Sequence, residues 1–433
     1  MKIMHNKPLR KTFVFLGIPF FTFEYKINYK LQFKILGISL FSIPRKPISK
    51  QKARNCFELD NKRNFRNIFV NIGYLAFKDE ISGIPRVAME IVRNASSVKS
   101  CSIVPFYFDP VSGSMIEYSL KDESKSRESP KKVCRVMPGD VILNTIPNSR
   151  ELEFNKETIL LLKSYGIIIG DILHDIIALE YPEYFKKKDV ESFKEWIEII
   201  SNHDFVLSVS ETTLKAYVSW ARKNKLRLPK YRDFFWLGAN FKYNNIEYCD
   251  AEIRMLLGSN YALMVATIEP RKGHEAVLKA FECLWEAGSH LKLVLVGKEG
   301  WKVKELIDRI SKNKWKNERL FWFSDVHDEK LAFLYKNSSF CIIASLAEGF
   351  GLPVVEANYF GKWVLCRDIP VFREIATNHV VFFHEDNPFN LAESILKIEK
   401  ISKMDRSDNE KGWQDWKASV EQICDRILRI KLN

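Results

Sequence analysis

Three features are missing from this 433-residue sequence, and each absence removes a class of protein. The eight cysteines (Cys56, Cys101, Cys134, Cys249, Cys283, Cys341, Cys366 and Cys424) never form a C-x-x-C pair. That excludes a zinc ribbon or a redox dithiol, and singly scattered thiols fit a reducing cytoplasm. No uncharged apolar run reaches the ~18–20 residues that cross a bilayer. The best candidate, TFVFLGIPFFTF at 12–23, has 12 uncharged residues broken by Pro19, and no small-residue cleavage pattern follows it. Neither a membrane span nor a signal peptide is expected. A chain-wide excess of positive charge is also absent. Of 67 Lys and Arg, 15 fall in residues 1–66 against three acids, while the other 367 residues balance 52 bases with 51 acids. The formal charge of +13 therefore belongs to the N-terminal segment, and a nucleic-acid partner is not expected.

What remains is a globular composition, 46% hydrophobic and 28% charged, too long for one ordinary core. Residues 1–50 hold a near-repeat, FLGIPFFTFEYK (15–26) and ILGISLFSIPRK (35–46), offset by 20. Branched and aromatic residues around Gly17 and Gly37 predict short strands with turns there, a β-hairpin packed on the main body. The same basic, apolar segment also suits an anionic membrane surface, at about 1 kcal/mol per base. Both readings stand. Residues 49–66 read as a linker, and 113–138 as a polar loop.

From Asn67 a strand–helix rhythm begins. NIFVNIGYLA, CSIVPFYF, DVILNT, GIIIGDIL and FVLSVS read as strands, with helices at IPRVAMEIVRNA, ESFKEWIEIISN and ETTLKAYVSWARK. A second series follows 251, with strands at YALMVAT, LKLVLVG, RLFWF, FCIIAS, KWVLCR and HVVFF. The tail WQDWKASVEQICDRILRI is amphipathic, with Trp413, Trp416, Val420, Ile423 and Ile427 on one face. Alternating strands and helices imply parallel sheets with right-handed crossovers. The predicted class is α/β: two Rossmann-like doubly wound domains facing a cleft, with an N-terminal basic β-hairpin-like extension. The expected division is 1–66 extension and linker, 67–240 first domain, 241–395 second domain, and 396–433 a helical tail packing back toward the first.

Ligands of such sheets bind at the carboxyl ends of the strands. Two clusters fall there. In AEGFGLPVVEA (347–357), Glu348 and Glu356 flank Gly349 and Gly351, and Pro353 suits the first turn of a helix. A helix start beside bendable glycines is an anion site, and paired carboxylates can accept hydrogen bonds from sugar hydroxyls on either side of a diphosphate. The bland reading is two surface acids, one of them favoured by the helix dipole. In TIEPRKGHEAVLKA, Arg271 and Lys272 lie between strand and helix and can grip a diphosphate, Arg as a planar fork and Lys as a point charge. The bland reading is an exposed basic turn.

In this order and spacing, TIEPRKGH, LVLVGKEGW, DVHDEKLAFLYKNS and EGFGLPVVEA closely resemble glycosyltransferase family four, retaining nucleotide-sugar enzymes of the GT-B fold. The resemblance is specific over 255–390 and looser over 67–240, where SGIPRV, LHDIIALEYPEYF, VSET and WLGAN carry it. It implies that Glu348 contacts the donor sugar near the reacting carbon and that Glu356 holds the ribose hydroxyls. Arg271 and Lys272 would neutralise the leaving diphosphate, and Phe350, Gly351 and Leu352 would offer backbone N–H groups. Gly83 would approach the phosphates from the first domain, His174 and Asp175 would lie beside donor and acceptor, and Val326 would flank the base. His174 has a plainer alternative as a histidine that orients its own loop. Ala266 replaces an arginine common in the family, and Thr377 a common glycine. No D-x-D occurs, so no metal or other cofactor is expected.

The resemblance implies an enzyme moving a hexose, with mannose from GDP-mannose favoured, to a glycan or glycolipid acceptor of a bacterial surface polysaccharide. The expected location is the cytoplasm, on the inner membrane face if residues 1–50 bind lipid. Two other readings remain open: a nucleotide-sugar epimerase of the same architecture, and a lipid- or partner-binding adaptor built on the basic arm.

Overall fold

The computed structural model describes residues 46–60, 63, 65–77, 83–120, 132–241, 253, 255–384, 386–404 and 412–430, together with the backbone of 2–3, 10–15, 18–26, 30–35 and 38–44. The N-terminal backbone is not a simple hairpin. Lys2–Ile3, Arg10–Phe15, Ile18–Lys26, Lys30–Ile35 and Ile38–Pro44 form a five-stranded antiparallel meander in chain order. The register shifts between Phe13 and Val14 and again between Phe33 and Lys34. These irregularities are 20 positions apart, so the sequence repeat is also a repeat of backbone form. The turns expected at Gly17 and Gly37 lie outside the described residues.

The first large sheet has seven strands, in the order Tyr231–Phe234, Phe205–Ser208, Ile168–Leu173, Val141–Asn144, Asn67–Asn71, Ser102–Phe108, Met115–Glu117. All neighbours are parallel except the last pair. The second has six parallel strands, Leu320–Phe323, Lys292–Val296, Tyr261–Val265, Phe340–Ile343, Val364–Arg367 and Val380–Phe383. Most of these strands are buried on both faces, which is why they read as continuous apolar runs.

Several expectations change. NIFVNIGYLA is a strand only to Asn71, and Gly73–Phe77 is a 3-10 turn beginning at a glycine with φ 54°. Residues 49–66 are not a free linker. Ile48, Cys56 and Phe57 are buried in the first domain, and Glu58–Leu59 pairs in parallel with Arg135–Val136. The supposed loop 113–138 supplies that strand and also Met115–Glu117. Each piece is too short for periodicity to reveal it. A domain limit at 395 would cut the helix Pro388–Met404, whose Leu391, Ala392, Ile395 and Ile398 pack into the second domain's core.

The last helix, Trp416–Leu428, starts at Asp415, whose side chain accepts the Ala418 N–H at 2.8 Å. Trp416, Val420, Ile423 and Ile427 are all buried, and the helix packs against Ile84–Asn94 of the first domain. Trp413 Nε1 donates to the Leu237 carbonyl at 2.7 Å. Cys101 and Cys424 are disulfide-bonded across a separation of 323 residues. This corrects the expectation of unpaired thiols. Spacing cannot show a pair that only the returning tail brings together, and the argument for a reducing compartment loses its basis. Trp416→Ala is expected to lower stability by about 3–5 kcal/mol, as for large buried aromatics. Equilibrium denaturation checks this, and a loss below about 1 kcal/mol would mean the tail does not share the first domain's core.

Candidate functional site

In the second sheet Tyr261–Val265 and Phe340–Ile343 are neighbours, and the chain winds outward from them in opposite directions. Such a switch point leaves a crevice beyond the carboxyl ends of the strands. The 3-10 turn Pro270–Lys272 follows one strand and Glu348 follows the other. The next residue, Gly273, has φ 74°, and a Cβ there would lie 2.4 Å from the Ala344 carbonyl oxygen, so only glycine lets the two loops touch.

Lys272 Nζ ion-pairs with Oε1 of Glu348. Arg271 Nη1 lies 3.4 Å from Oε2 and donates to the Ala347 carbonyl at 3.0 Å. Arg271 Nε stands 3.1 Å from Glu269 Oε2. Burial alone would push the Glu348 carboxyl up, but Lys272 and Arg271 together outweigh it and hold the group at about 2. Glu348 is therefore a fixed carboxylate held between the two cations in a largely buried crevice.

The first domain closes this crevice from the other side. His174 and Asp175 follow the strand Ile168–Leu173. A Cβ on Gly349 would sit 1.8 Å from the His174 carbonyl oxygen and 2.8 Å from Asp175 Cβ. Ser210 Oγ and Thr213 Oγ1 donate to the Gly349 carbonyl at 2.6 and 2.9 Å. Burial raises the Asp175 carboxyl above its ordinary range, against Arg271 and against the Ile177 N–H, which donates to Oδ1 at 3.0 Å. Burial drops the His174 imidazole to about 4, and its Nε2–H donates to the Thr145 carbonyl at 2.8 Å. His174 is thus a neutral ring tied to backbone, which matches a loop-orienting histidine.

The helix Leu352–Tyr359 begins at Gly351, φ 106°, with Pro353 in its first turn and no side chain capping its start. Pro353 carries no N–H and the Val354 N–H turns back to the Gly351 carbonyl at 3.0 Å, so the start offers a ligand the Leu352 N–H and the helix's positive dipole end, a few residues from Glu348. Phe350 is buried edge-on to Trp413 at 6.0 Å, so its ring is core and only its backbone can serve a ligand. Leu352 opens the helix. Across the cleft, Gly83 precedes the helix Ile84–Asn94 with φ 66°, and a Cβ there would meet nothing within 4 Å. Val326, partly buried, lies just before the helix Asp328–Asn337.

Glu356 sits one turn inside its helix, not in the first turn, because the helix starts at Leu352. Arg86 Nη1 lies 3.0 Å from its Oε1, and the Tyr335 hydroxyl donates to its Oε2 at 2.8 Å. The structure therefore groups Arg271, Lys272, Glu348 and Asp175 at one end of the loop and its helix, and Glu356 with Arg86 and Tyr335 at the other. Sequence reasoning missed Arg86, Tyr335, Ser210, Thr213 and Glu374. Glu374 takes the N–H groups of Glu211 and Thr212 at 2.8 Å each and Trp236 Nε1–H at 2.9 Å. It thereby stabilises the start of a first-domain helix from the second domain. The signal for Arg86 was present as a cation inside the apolar run IPRVAMEIV. For Tyr335 and Glu374 no local pattern points to a partner.

Residues 251–414 match the family described as Glycosyl transferases group 1. The chain is 30% identical over 410 residues to the serotype-specific mannosyltransferase WbdA of Escherichia coli, covering 90% of this chain and 49% of that protein. It is 24% identical over 273 residues to the O-antigen chain mannosyltransferase RfbU of Salmonella typhimurium, covering 63% of this chain and 65% of that one. The chain thus spans about half the length of the first of these relatives. Among solved structures, Anabaena Alr3699/HepE in complex with UDP and glucose aligns with a TM-score of 0.56 at 15% identity, over 85% of this chain and all of that one. The shared architecture is GT-B.

Proposed function

We propose, from the match of residues 251–414 to the Glycosyl transferases group 1 family, that the chain is a retaining glycosyltransferase of bacterial O-antigen synthesis. Its donor is a nucleoside diphosphate sugar, with GDP-mannose favoured by the mannosyltransferase names of its relatives. Its acceptor is an oligosaccharide or lipid-linked glycan. The observation that carries this reading is the convergence of Arg271, Lys272 and the uncapped helix start at Gly351 on one crevice beside Glu348.

Breaking the bond from the anomeric carbon to the diphosphate leaves positive charge on the sugar and negative charge on the departing oxygen. Fixed cations and helix N–H groups aimed at that oxygen stabilise the transition state without rearranging. Before donor arrives, Glu348 keeps the buried cations compensated. When the diphosphate enters, Lys272 and Arg271 share their charge with it, and the Glu348 carboxylate faces the sugar. In retaining transfer the leaving phosphate oxygen takes the proton of the acceptor hydroxyl as that hydroxyl adds to the same face. No side-chain base is then needed, in keeping with a His174 committed to backbone. Assays of sugar transfer from GDP-mannose and UDP-glucose to a mannose-terminated acceptor test the reading, and a protein inert with both donors would refute it.

Metal independence is part of the proposal, supported by the missing D-x-D and by a crevice whose charge is supplied by side chains. Chelation with EDTA is expected to leave the transfer rate within about twofold, whereas a tenfold loss restored by a divalent cation would contradict it. Cytoplasmic location with residues 1–50 on anionic lipid is likewise proposed, on the charge of that segment. Among the described residues no helix is long and apolar enough to cross a membrane. The 433-residue chain is expected to sediment with phosphatidylglycerol vesicles and to be released by about 0.5 M salt, as surface electrostatics are screened.

A further inference from the structure

We propose that Arg86 is a donor-positioning residue: reaching over from the first domain, its guanidinium holds and aims Glu356 toward the ribose diol of the bound nucleotide. The inference deepens the function proposed above and rests on it.

Arg86 stands three residues after Gly83 on the helix Ile84–Asn94, so its side chain issues from the helix start that faces the second domain. Three contacts fix the guanidinium there. Nη1 is 3.0 Å from Glu356 Oε1 and 3.9 Å from Asp328 Oδ1, both in the second domain. Cζ lies 4.6 Å over the ring of Phe241, which is itself 6.0 Å from Tyr335 and 5.3 Å from Phe360. Tyr335 and Phe360 stack at 5.5 Å with 9° between their planes. The guanidinium is thus backed by a rigid aromatic wall and pinned to carboxylates on its open side. Arg86 is 7% exposed and Glu356 3%. Its Nε donates to no acceptor among the described residues. A buried guanidinium with an idle donor, next to the carboxylate proposed to take ribose hydroxyls, is arranged to serve a ligand as well as its neighbour.

The charge balance explains why a cation is required. Burial raises the Glu356 carboxyl above its ordinary range, while Arg86 and the Tyr335 hydroxyl pull it back down. The groups facing it are Arg86 from the first domain, Tyr335 and Asp328 from the helix Asp328–Asn337, and the buried Cys341 thiol. The Asp328 carboxylate opposes ionisation of Glu356. Arg86 is the cation named among them, so removing it lets Glu356 take up a proton in a buried setting. A protonated carboxyl no longer accepts two hydrogen bonds from a diol.

The test is nucleotide affinity as a function of pH, using GDP and UDP as probes on the full chain. The Kd of Arg86→Met divided by that of the wild type is expected to be within about threefold at pH 8.5 and to exceed about tenfold at pH 6.0, because one linked proton weakens binding by at most tenfold per pH unit. Taking the ratio removes titrations common to both proteins, such as those of Asp175 and Glu269. Arg86→Lys restores a charge without the fork and should flatten the ratio. Arg86→Met combined with Glu356→Gln should abolish its pH dependence. A merely structural Arg86 would weaken binding equally at every pH, and a constant ratio would overturn the inference. A wild type that binds neither nucleotide would instead refute the functional reading beneath it.

Discussion

The Lys272→Ala variant is expected to lose about 10²–10³-fold in kcat for sugar transfer, the loss typical of removing one preorganised group at a developing anion. Lys272 and Arg271 are mostly buried, with side chains 13–14% exposed, so each charge would act on a departing diphosphate with reduced screening. Glu348 already neutralises part of that charge in the free protein, so deleting one cation shifts the whole site toward the negative. Arg271→Ala should cost a similar amount and also release the Ala347 carbonyl that it holds at 3.0 Å. Lys272→Arg is the informative control: it keeps the charge but changes its shape, and should recover part of the rate. Rates come from initial velocities at saturating donor and acceptor, with circular dichroism to show the variants are folded. A Lys272→Ala enzyme with kcat within threefold of the wild type would remove the pair from catalysis.

Gly349→Ala carries the second large effect. The added methyl carbon would sit 1.8 Å from the His174 carbonyl oxygen, and that oxygen is backbone, unable to swing aside. Ser210 and Thr213 meanwhile clamp the Gly349 carbonyl from the first domain. The clash is relieved only by moving the domains apart. Overpacking of this kind costs about 1–3 kcal/mol, and a displacement of ~1 Å at reacting groups costs about 10²-fold in rate. The variant should be folded, at least 100-fold slower by the same reasoning, and larger in radius of gyration by small-angle scattering. Ser210→Ala removes two hydrogen bonds without a clash, the one given to the Gly349 carbonyl and the one taken from the Thr213 N–H that it caps, and should lose about 1–2 kcal/mol and little activity. If Gly349→Ala matched the wild type in rate and size, the tight apposition of the two domains would not matter for catalysis.

Much of the site was legible because its residues cluster in the sequence. EGFGLPVVEA announces itself through glycines, a proline and two acids within ten positions, and its place after FCIIAS fixes it to a strand end. Arg271 and Lys272 are legible for the same reason. The parallel sheets could be read because strands buried on both faces are apolar throughout, so Tyr261–Val265 and Phe340–Ile343 need no alternation to be recognised.

What escaped depends on distance along the chain. Arg86 and Glu356 meet from opposite domains, 270 positions apart by residue number, and neither residue's neighbours hint at the other. Glu374 looks like an exposed acid on a short helix until Glu211, Thr212 and Trp236 are seen to donate to it. The Cys101–Cys424 pairing depends on a tail that returns to the first domain. Short strands such as Glu58–Leu59 and Arg135–Val136 escaped for another reason: two residues carry no period, and only their parallel partner makes them strands.

The most direct test of the account is a structure of the protein with a bound nucleoside diphosphate. The account predicts the diphosphate between the Arg271–Lys272 turn and the helix start at Gly351, with a phosphate oxygen within about 3.5 Å of Lys272 Nζ. The ribose should lie against Glu356. A nucleotide seated elsewhere, with Lys272 still engaged only by Glu348, would contradict it.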